Sequence, residues 1–140
     1  MRLLTSTDFA LRVLIRLGAE PEGHHLNVDQ LARELGDLSR NHLHKVVQTL
    51  GALGLVRTLR GARGGVALSQ APGTIRLGVL VRALEADQSL VECFRPDGGA
   101  CILTPGCRLR TVLWRAGEAF LAELDRYTLA DCLTGLVVSA

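Results

Sequence analysis

The sequence predicts a mainly α-helical fold of the α+β class with one small β-hairpin. Amphipathic segments with apolar residues three and four positions apart run through most of the 140 residues, and this spacing is typical of one helix face. Two strand-like segments, residues 55–59 and 65–69, flank the glycine-rich stretch RGARGG, which favours a hairpin. A chain of this length with 48% hydrophobic residues can bury one core, as one domain or as one domain with an appended element.

Caps and apolar faces predict the first two helices. Residues 6–19 begin with Ser6 and Thr7 as possible N-caps, and Asp8 follows in the first turn. Residues 27–36 begin with Asn27 as a cap and end at a glycine. The apolar positions of the two helices are Phe9, Val13, Leu14, Leu17, Val28, Leu31, Ala32 and Leu35.

A third helix follows after a short turn, with Ser39 placed to cap it. Two short helices joined by a tight turn that contains glycine predict a helix-turn-helix. The hairpin then adds a wing with Arg60 and Arg63 at its tip. The order of helix, helix, basic helix and basic hairpin predicts a winged helix-turn-helix domain over residues 1–73.

The charge distribution indicates a polyanionic partner for this domain. The net charge is only +2, but no acidic residue lies between Asp37 and Glu85, a stretch rich in arginine. A basic face without a partner is the alternative, and the winged-helix context favours double-stranded DNA. We expect the third helix to enter the major groove and the wing to enter an adjacent minor groove. The predicted DNA-contacting residues are Ser39, Arg40, Asn41, His42, His44, Lys45, Arg60 and Arg63.

Residues 74–140 are predicted to carry a cysteine-rich loop, residues 90–107, between helices. Thr74 is placed to cap a fourth helix, and Thr128 with Asp131 resembles a capping box before a short last helix.

Between them, Thr104 and Pro105 predict the start of a long helix of about 20 residues. Its apolar stripe comprises Leu109, Val112, Leu113, Ala116, Phe120 and Leu124. A domain of this size cannot cover such a stripe alone, so we expect the helix to pack against its twin in a homodimer. Packing within one chain is the alternative.

Three of the four cysteines lie on the loop, at Cys93, Cys101 and Cys107. Their spacing matches neither the knuckles of structural zinc nor the cysteine run of ferredoxins, and soft thiolates suit iron–sulfur centres. The sequence lacks a signal peptide and a membrane-spanning stretch, so we expect a cytoplasmic protein with reduced thiols. Cys132 is interpreted as a small hydrophobic residue. A zinc-bound or metal-free DNA-binding protein remains the alternative.

Several segments carry a family resemblance, namely MRLLTSTDFALRVLI, LSRNHLHKVVQTL, LRGARGGVALS, LVECF, CILTPGCRLR and AFLAELDRYTLADCL. Together they resemble the NsrR family of nitric-oxide-sensing repressors, among the winged-helix iron–sulfur regulators that also include IscR. The resemblance implies a cytoplasmic homodimer that represses genes while its cluster is intact and releases DNA when nitric oxide attacks the iron.

We expect a cluster of the 4Fe-4S type, with 2Fe-2S as the alternative. Three loop thiolates leave one iron position open, and the resemblance points to Asp8 of the partner subunit as its ligand. IscR-like regulators use a histidine shortly after the third cysteine, and this sequence has none there. An iron–sulfur or redox-responsive regulator of other genes is the alternative function.

An enzymatic function finds no support in the motifs. The sequence lacks a Ser/His/Asp order, and the glycines of GARGG lack the strand-to-helix setting of a phosphate-binding loop. We therefore expect a protein that is not an enzyme.

Overall fold

A computed structural model describes residues 2–36, 39–61 and 64–137. The elements in chain order are α1 (Thr5–Gly18), α2 (Val28–Glu34), α3 (Arg40–Ala52), β1 (Val56–Leu59), β2 (Gly65–Leu68), α4 (Leu77–Leu84), α5 (Arg108–Leu124) and α6 (Leu129–Leu133). Short 3₁₀ turns occupy Pro72–Thr74, Glu92–Phe94 and Thr104–Gly106. The mainly helical fold with one hairpin is confirmed. No helix of these described ranges is long and apolar enough to cross a membrane.

The core lies where α1, α2, α3 and the hairpin meet. The apolar faces predicted for the first two helices and the apolar face of α3 supply most of it, and Leu14, Leu31, Leu43 and Leu50 are wholly buried. Leu129 of α6 is buried in the same core, because α6 packs against α1. The C-terminal end of the chain therefore helps to close the N-terminal helical unit.

Three predicted caps are confirmed by hydrogen bonds. The side chain of Asn27 accepts from the backbone N–H of Gln30 at 2.7 Å at the start of α2. The hydroxyl of Ser39 accepts from the backbone N–H of His42 at 3.2 Å at the start of α3. Thr128 and Asp131 form the capping box of α6. These local bonds fix where both helices of the helix-turn-helix begin.

The predicted starts of α1 and α4 are wrong. Helix α1 begins at Thr5 after Leu4, whose carbonyl accepts from the backbone N–H of Asp8 at 3.0 Å, so Ser6 and Thr7 lie inside the first turn. Helix α4 begins at Leu77, because the hydroxyl of Thr74 donates to the carbonyl of Ala71 within a separate 3₁₀ turn.

The long helix is also shorter than predicted. It spans the 17 residues Arg108–Leu124, and Thr104–Gly106 forms a 3₁₀ turn of its own. Cys107 has an extended backbone with ψ of 106°, which separates the two helical segments. Pro105 therefore starts the 3₁₀ turn and not the long helix.

The hairpin is an antiparallel pair in which Val56 lies opposite Leu68 and Leu59 opposite Gly65. Leu26 extends it, since the backbones of Leu26 and Val66 exchange hydrogen bonds of 3.0 and 2.8 Å. A Cβ at Gly65 would lie 2.6 Å from the carbonyl oxygen of Leu26, so this contact requires glycine. The wing is thus attached to the segment that leads into α2.

Helix α5 packs on α4 but leaves much of its apolar stripe open. No residue of α5 is buried, and Leu109 and Val112 are 61% and 59% exposed. Before the helix, Ile102 is 90% exposed and Leu103 is 66% exposed. The chain by itself therefore does not cover the long helix.

Candidate nucleic-acid interface and cysteine loop

The N-terminal half of α3 presents a polar surface on the side opposite the core. Ser39, Arg40, Asn41, His44 and Lys45 are exposed. The structure thus brings these predicted DNA-contacting residues together on one helix surface. A helix-turn-helix uses this part of its second helix to reach base edges in the major groove.

His42 differs from its neighbours on α3. Its ring is half-buried and meets the ring of Phe9 in a T-shaped contact, with centroids 4.9 Å apart. Phe9 lies on α1, so this pair joins the first helix to the helix predicted to read DNA. His42 therefore packs between helices as well as lying near the predicted interface.

At the wing, Arg60 is exposed directly after β1. Arg63 lies outside the described residues. Arg57 and Thr58 on β1 are also exposed, which extends the polar face of the hairpin. The wing surface is thus open to a partner from β1 to Arg60.

Sequence reasoning missed one residue of this surface. Asp29, in the first turn of α2, forms an ion pair with Arg40, in which Oδ1 lies 2.9 Å from Nε. The sequence carries no signal for this contact, because it depends on how α2 and α3 pack across the turn.

Asp8 is half-exposed in the first turn of α1 and pairs with Arg12 one turn later. Oδ2 of Asp8 lies 2.8 Å from Nη2 of Arg12, and Nε of Arg12 donates to Oδ1 at 3.2 Å. The Arg12 guanidinium also lies 6.0 Å from the centre of the Phe9 ring. The carboxylate predicted as a cluster ligand is therefore held by an arginine within its own chain.

The cysteine loop is tied together by its own hydrogen bonds. Oε1 of Glu92 accepts from the backbone N–H of Ala100 at 3.1 Å, which draws the segments of Cys93 and Cys101 together. Nε of Arg110, in the first turn of α5, donates to the carbonyl of Cys93 at 3.4 Å.

A glycine allows the loop to fold back on itself. Gly99 has φ of +61°, and a Cβ there would lie 2.6 Å from the carbonyl oxygen of Glu92. This position combines a left-handed backbone with a close approach, and only glycine meets both demands.

The donor set of this loop fits an iron–sulfur centre in its chemistry. Cys93, Cys101 and Cys107 are half-buried, and Cys132 on α6 is likewise half-buried. Thiolates are the ligands that such centres use. Among the described side chains, no three of His, Cys, Asp and Glu lie close enough to hold a metal ion. The three thiols therefore share one tied loop without converging in the single chain.

The comparison with protein families decides the class. The family model described as Rrf2, iron-dependent transcriptional regulator, matches residues 3–135. The chain belongs to the Rrf2 family. Its relatives include the HTH-type transcriptional regulator NsrR of Geobacillus kaustophilus, 48% identical over 133 residues that cover 95% of this chain and 90% of the relative. NsrR of Bacillus subtilis is 47% identical over 131 residues, 94% of this chain and 89% of that protein. The Rrf2 chain is thus a DNA-binding transcriptional regulator.

Solved structures agree with this Rrf2 assignment. CymR of B. subtilis, described as its global cysteine regulator, superposes with a TM-score of 0.77 at 28% identity and covers 98% of this chain and 99% of its own. IscR of T. potens has a TM-score of 0.75 at 23% identity, over 96% of this chain and 87% of its own, which supports the fold alone. The winged-helix fold predicted from the sequence is confirmed.

Proposed function

We propose that this Rrf2 regulator is a cytoplasmic repressor that senses nitric oxide through an iron–sulfur cluster. The observation that carries the proposal is the loop itself. It places three half-buried cysteines between α4 and α5, on a loop tied by hydrogen bonds of 3.1 and 3.4 Å. The relatives named NsrR, 41% to 48% identical over about 95% of the chain, support the same function.

Cys93, Cys101 and Cys107 would hold the cluster, which we propose to be of the 4Fe-4S type. When bound, the cluster would supply iron atoms that react with nitric oxide. The carboxylate of Asp8 of the partner subunit would complete the ligand set. A carboxylate is a weaker ligand than a thiolate for this iron, which suits a site that must admit a small diatomic molecule.

Asp8 also connects the proposed sensor to the DNA-binding surface. It lies on the same turn of α1 as Phe9, and Phe9 contacts His42 on α3 at 4.9 Å. A carboxylate released from the cluster can pair with Arg12, as the 2.8 Å contact in the single chain illustrates. A change at the start of α1 thus reaches the recognition helix through one layer of side chains.

A homodimer is part of the proposal. Leu109 and Val112 of α5 are exposed, and so are Ile102 and Leu103 of the preceding loop. Exposed apolar side chains in this number need a cover, and a second copy supplies it symmetrically. The two recognition helices of such a dimer would read the two halves of an operator.

The test is an anaerobic preparation of the full chain. We expect a brown protein with iron and sulfide in near-equal amounts, and loss of DNA affinity when nitric oxide is added. DNA binding is measured by fluorescence anisotropy on a duplex selected from a random library. A colourless protein containing zinc would contradict the sensor function. A brown protein whose DNA affinity is unchanged by nitric oxide would favour an IscR-like regulator of other genes.

A further inference from the structure

The first turns of α2 and α3 carry a charged pair that the family assignment does not explain. Nε of Arg40 lies 2.9 Å from Oδ1 of Asp29, with the two side chains 70% and 50% exposed. Among the described residues, Asp29 is the only ion-pair partner of Arg40. A surface pair between such exposed groups contributes little to stability. Its position, at the start of the predicted recognition helix, invites a functional explanation.

The atoms used in the pair matter for DNA reading. Arginine has five N–H donors in a planar fork, and the 2.9 Å contact with Asp29 is made at Nε. The two terminal nitrogens, Nη1 and Nη2, form another edge of the fork with parallel donors. That edge matches the O6 and N7 acceptors of guanine, and bidentate arginine is the commonest specific contact in the major groove.

We propose that Asp29 is a positioning residue for base reading, which holds Arg40 through Nε so that its terminal nitrogens meet a guanine in the major groove. A long side chain normally loses rotamer freedom when it binds. An arginine already held by a carboxylate loses less of that freedom. This inference rests on the DNA interface proposed for α3.

A competing explanation makes Asp29 a simple rival of DNA for Arg40. The two explanations predict different effects of removing Asp29 on binding to the preferred sequence. A rival carboxylate weakens specific binding, so its removal strengthens binding to the preferred sequence. A positioning carboxylate increases discrimination between bases, so its removal weakens the preference for guanine. Affinity for DNA of any sequence rises at the same time, because one negative charge has left the interface.

The experiment uses the full chain purified anaerobically. A preferred duplex is selected from a random-sequence library, and Kd is measured by fluorescence anisotropy for it and for duplexes with single guanines replaced. We expect the wild type to favour one guanine per half-site by roughly tenfold, as a bidentate pair provides. Arg40→Lys should reduce this preference, since an ammonium lacks the planar fork that meets O6 and N7 in a fixed geometry.

Two substitutions of Asp29 separate hydrogen bonding from charge. Asp29→Ala should lose most of the guanine preference. Asp29→Asn should keep most of it, because its amide oxygen can still accept from Nε. Both should raise affinity for unrelated DNA, and Glu22→Ala, which removes an exposed acid from the α1–α2 loop, is the matched charge control. Circular dichroism of the variants checks that α2 still folds.

Three outcomes would overturn the inference. One is tighter binding of Asp29→Ala to the selected duplex with its preference intact, which would identify a rival. Another is loss of the preference in Asp29→Asn as well as in Asp29→Ala. The third is a wild-type protein that shows no guanine preference, or one whose guanine preference is unchanged by Arg40→Lys. Failure of the wild type to bind any duplex would instead refute the DNA interface proposed for α3.

Discussion

At the scale of single residues, the four cysteines fall into two groups that substitution should separate. Cys93→Ser, Cys101→Ser and Cys107→Ser should each abolish cluster assembly, because a hard hydroxyl oxygen replaces a soft thiolate poorly. Cys132→Ser should keep the visible absorption, since Cys132 lies on α6, which packs against α1, and is not one of the proposed ligands. The measurement is absorption with iron and sulfide analysis under anaerobic conditions. A colourless Cys132→Ser beside brown loop variants would refute the ligand assignment.

The ion pair between α1 and α2 predicts a dependence of stability on pH. Glu34 accepts from Nε of Arg16 at 2.6 Å and from the side chain of Gln30 at 2.9 Å. Burial alone would raise the pKa of Glu34, but these hydrogen bonds and the charge of Arg16 hold its pKa below the ordinary value. Because the pKa of Glu34 is lower in the folded state, its carboxylate stabilises the protein above the unfolded pKa of about 4.3. This stabilisation is lost as the pH falls through the folded pKa.

Glu34→Gln should therefore destabilise the protein by about 1 kcal/mol at neutral pH. The difference from the wild type should shrink between neutral pH and about pH 3, because Glu34 takes up its proton as the pH falls through its lowered pKa. Urea unfolding at the two pH values measures this, with Glu22→Gln as an exposed control. An equal difference at both pH values would show that the carboxylate charge is not responsible.

At the scale of elements, the crossing of α4 and α5 depends on one glycine. A Cβ on Gly78 of α4 would clash with the side chain of Asp125 and would lie 2.5 Å from the carbonyl oxygen of Leu121. Gly78→Ala should force the helices apart and cost about 1 to 3 kcal/mol. Gly117, within α5, has no atom within 4 Å of its Cβ position. Gly117→Ala should stabilise the helix by about 0.5 to 1 kcal/mol. Thermal unfolding should show shifts of opposite sign.

The wing gives a second prediction at this scale. Arg60 is exposed at the end of β1, where a phosphate contact would release a counterion from DNA. Arg60→Ala should reduce the steepness of log K against log salt by about 0.9 for each subunit, which is about 1.8 for the proposed dimer. Arg126→Ala should leave the slope unchanged. It removes the same charge just after α5, where Arg126 pairs with Glu123. An unaltered slope for Arg60→Ala would place Arg60 outside the interface.

At the scale of the whole molecule, the proposed shared cluster predicts the behaviour of a mixed dimer. One subunit carries Asp8→Ala and the other has its three loop cysteines replaced by serine. If Asp8 binds the cluster of its partner, one site receives all four ligands and the other receives none. The mixed dimer should then hold one cluster with a wild-type spectrum.

The Asp8→Ala homodimer is the reference for that experiment. If the mixed dimer shows only the altered spectrum of this homodimer, the shared site is refuted. If the homodimer itself has a wild-type spectrum, Asp8 is not a ligand.

The sequence predicted the parts of the fold that local chemistry controls. Asn27, Ser39 and the Thr128–Asp131 pair cap the helices where expected, because a side chain and a nearby backbone N–H suffice. The starts of α4 and α5 were predicted wrongly, because Thr74 and Pro105 serve separate 3₁₀ turns. The start of α1 was also predicted wrongly, because this helix begins at Thr5 without a side-chain cap. The pairing of Asp29 with Arg40 depends on tertiary packing and could not be predicted.

The backbone bridge between Leu26 and Val66 has a consequence for the operator. It joins the wing to the segment just before α2, and α3 packs against both α2 and β1, so we expect the recognition helix and the wing to move as one unit. Two contacts held in a fixed arrangement require a fixed distance between their sites on DNA. On the proposed interface, operators should tolerate exchanged bases at many positions. They should not tolerate a base pair inserted between the groove that α3 reads and the groove that the wing touches. One added base pair shifts the second contact by about 3.4 Å and rotates it around the duplex.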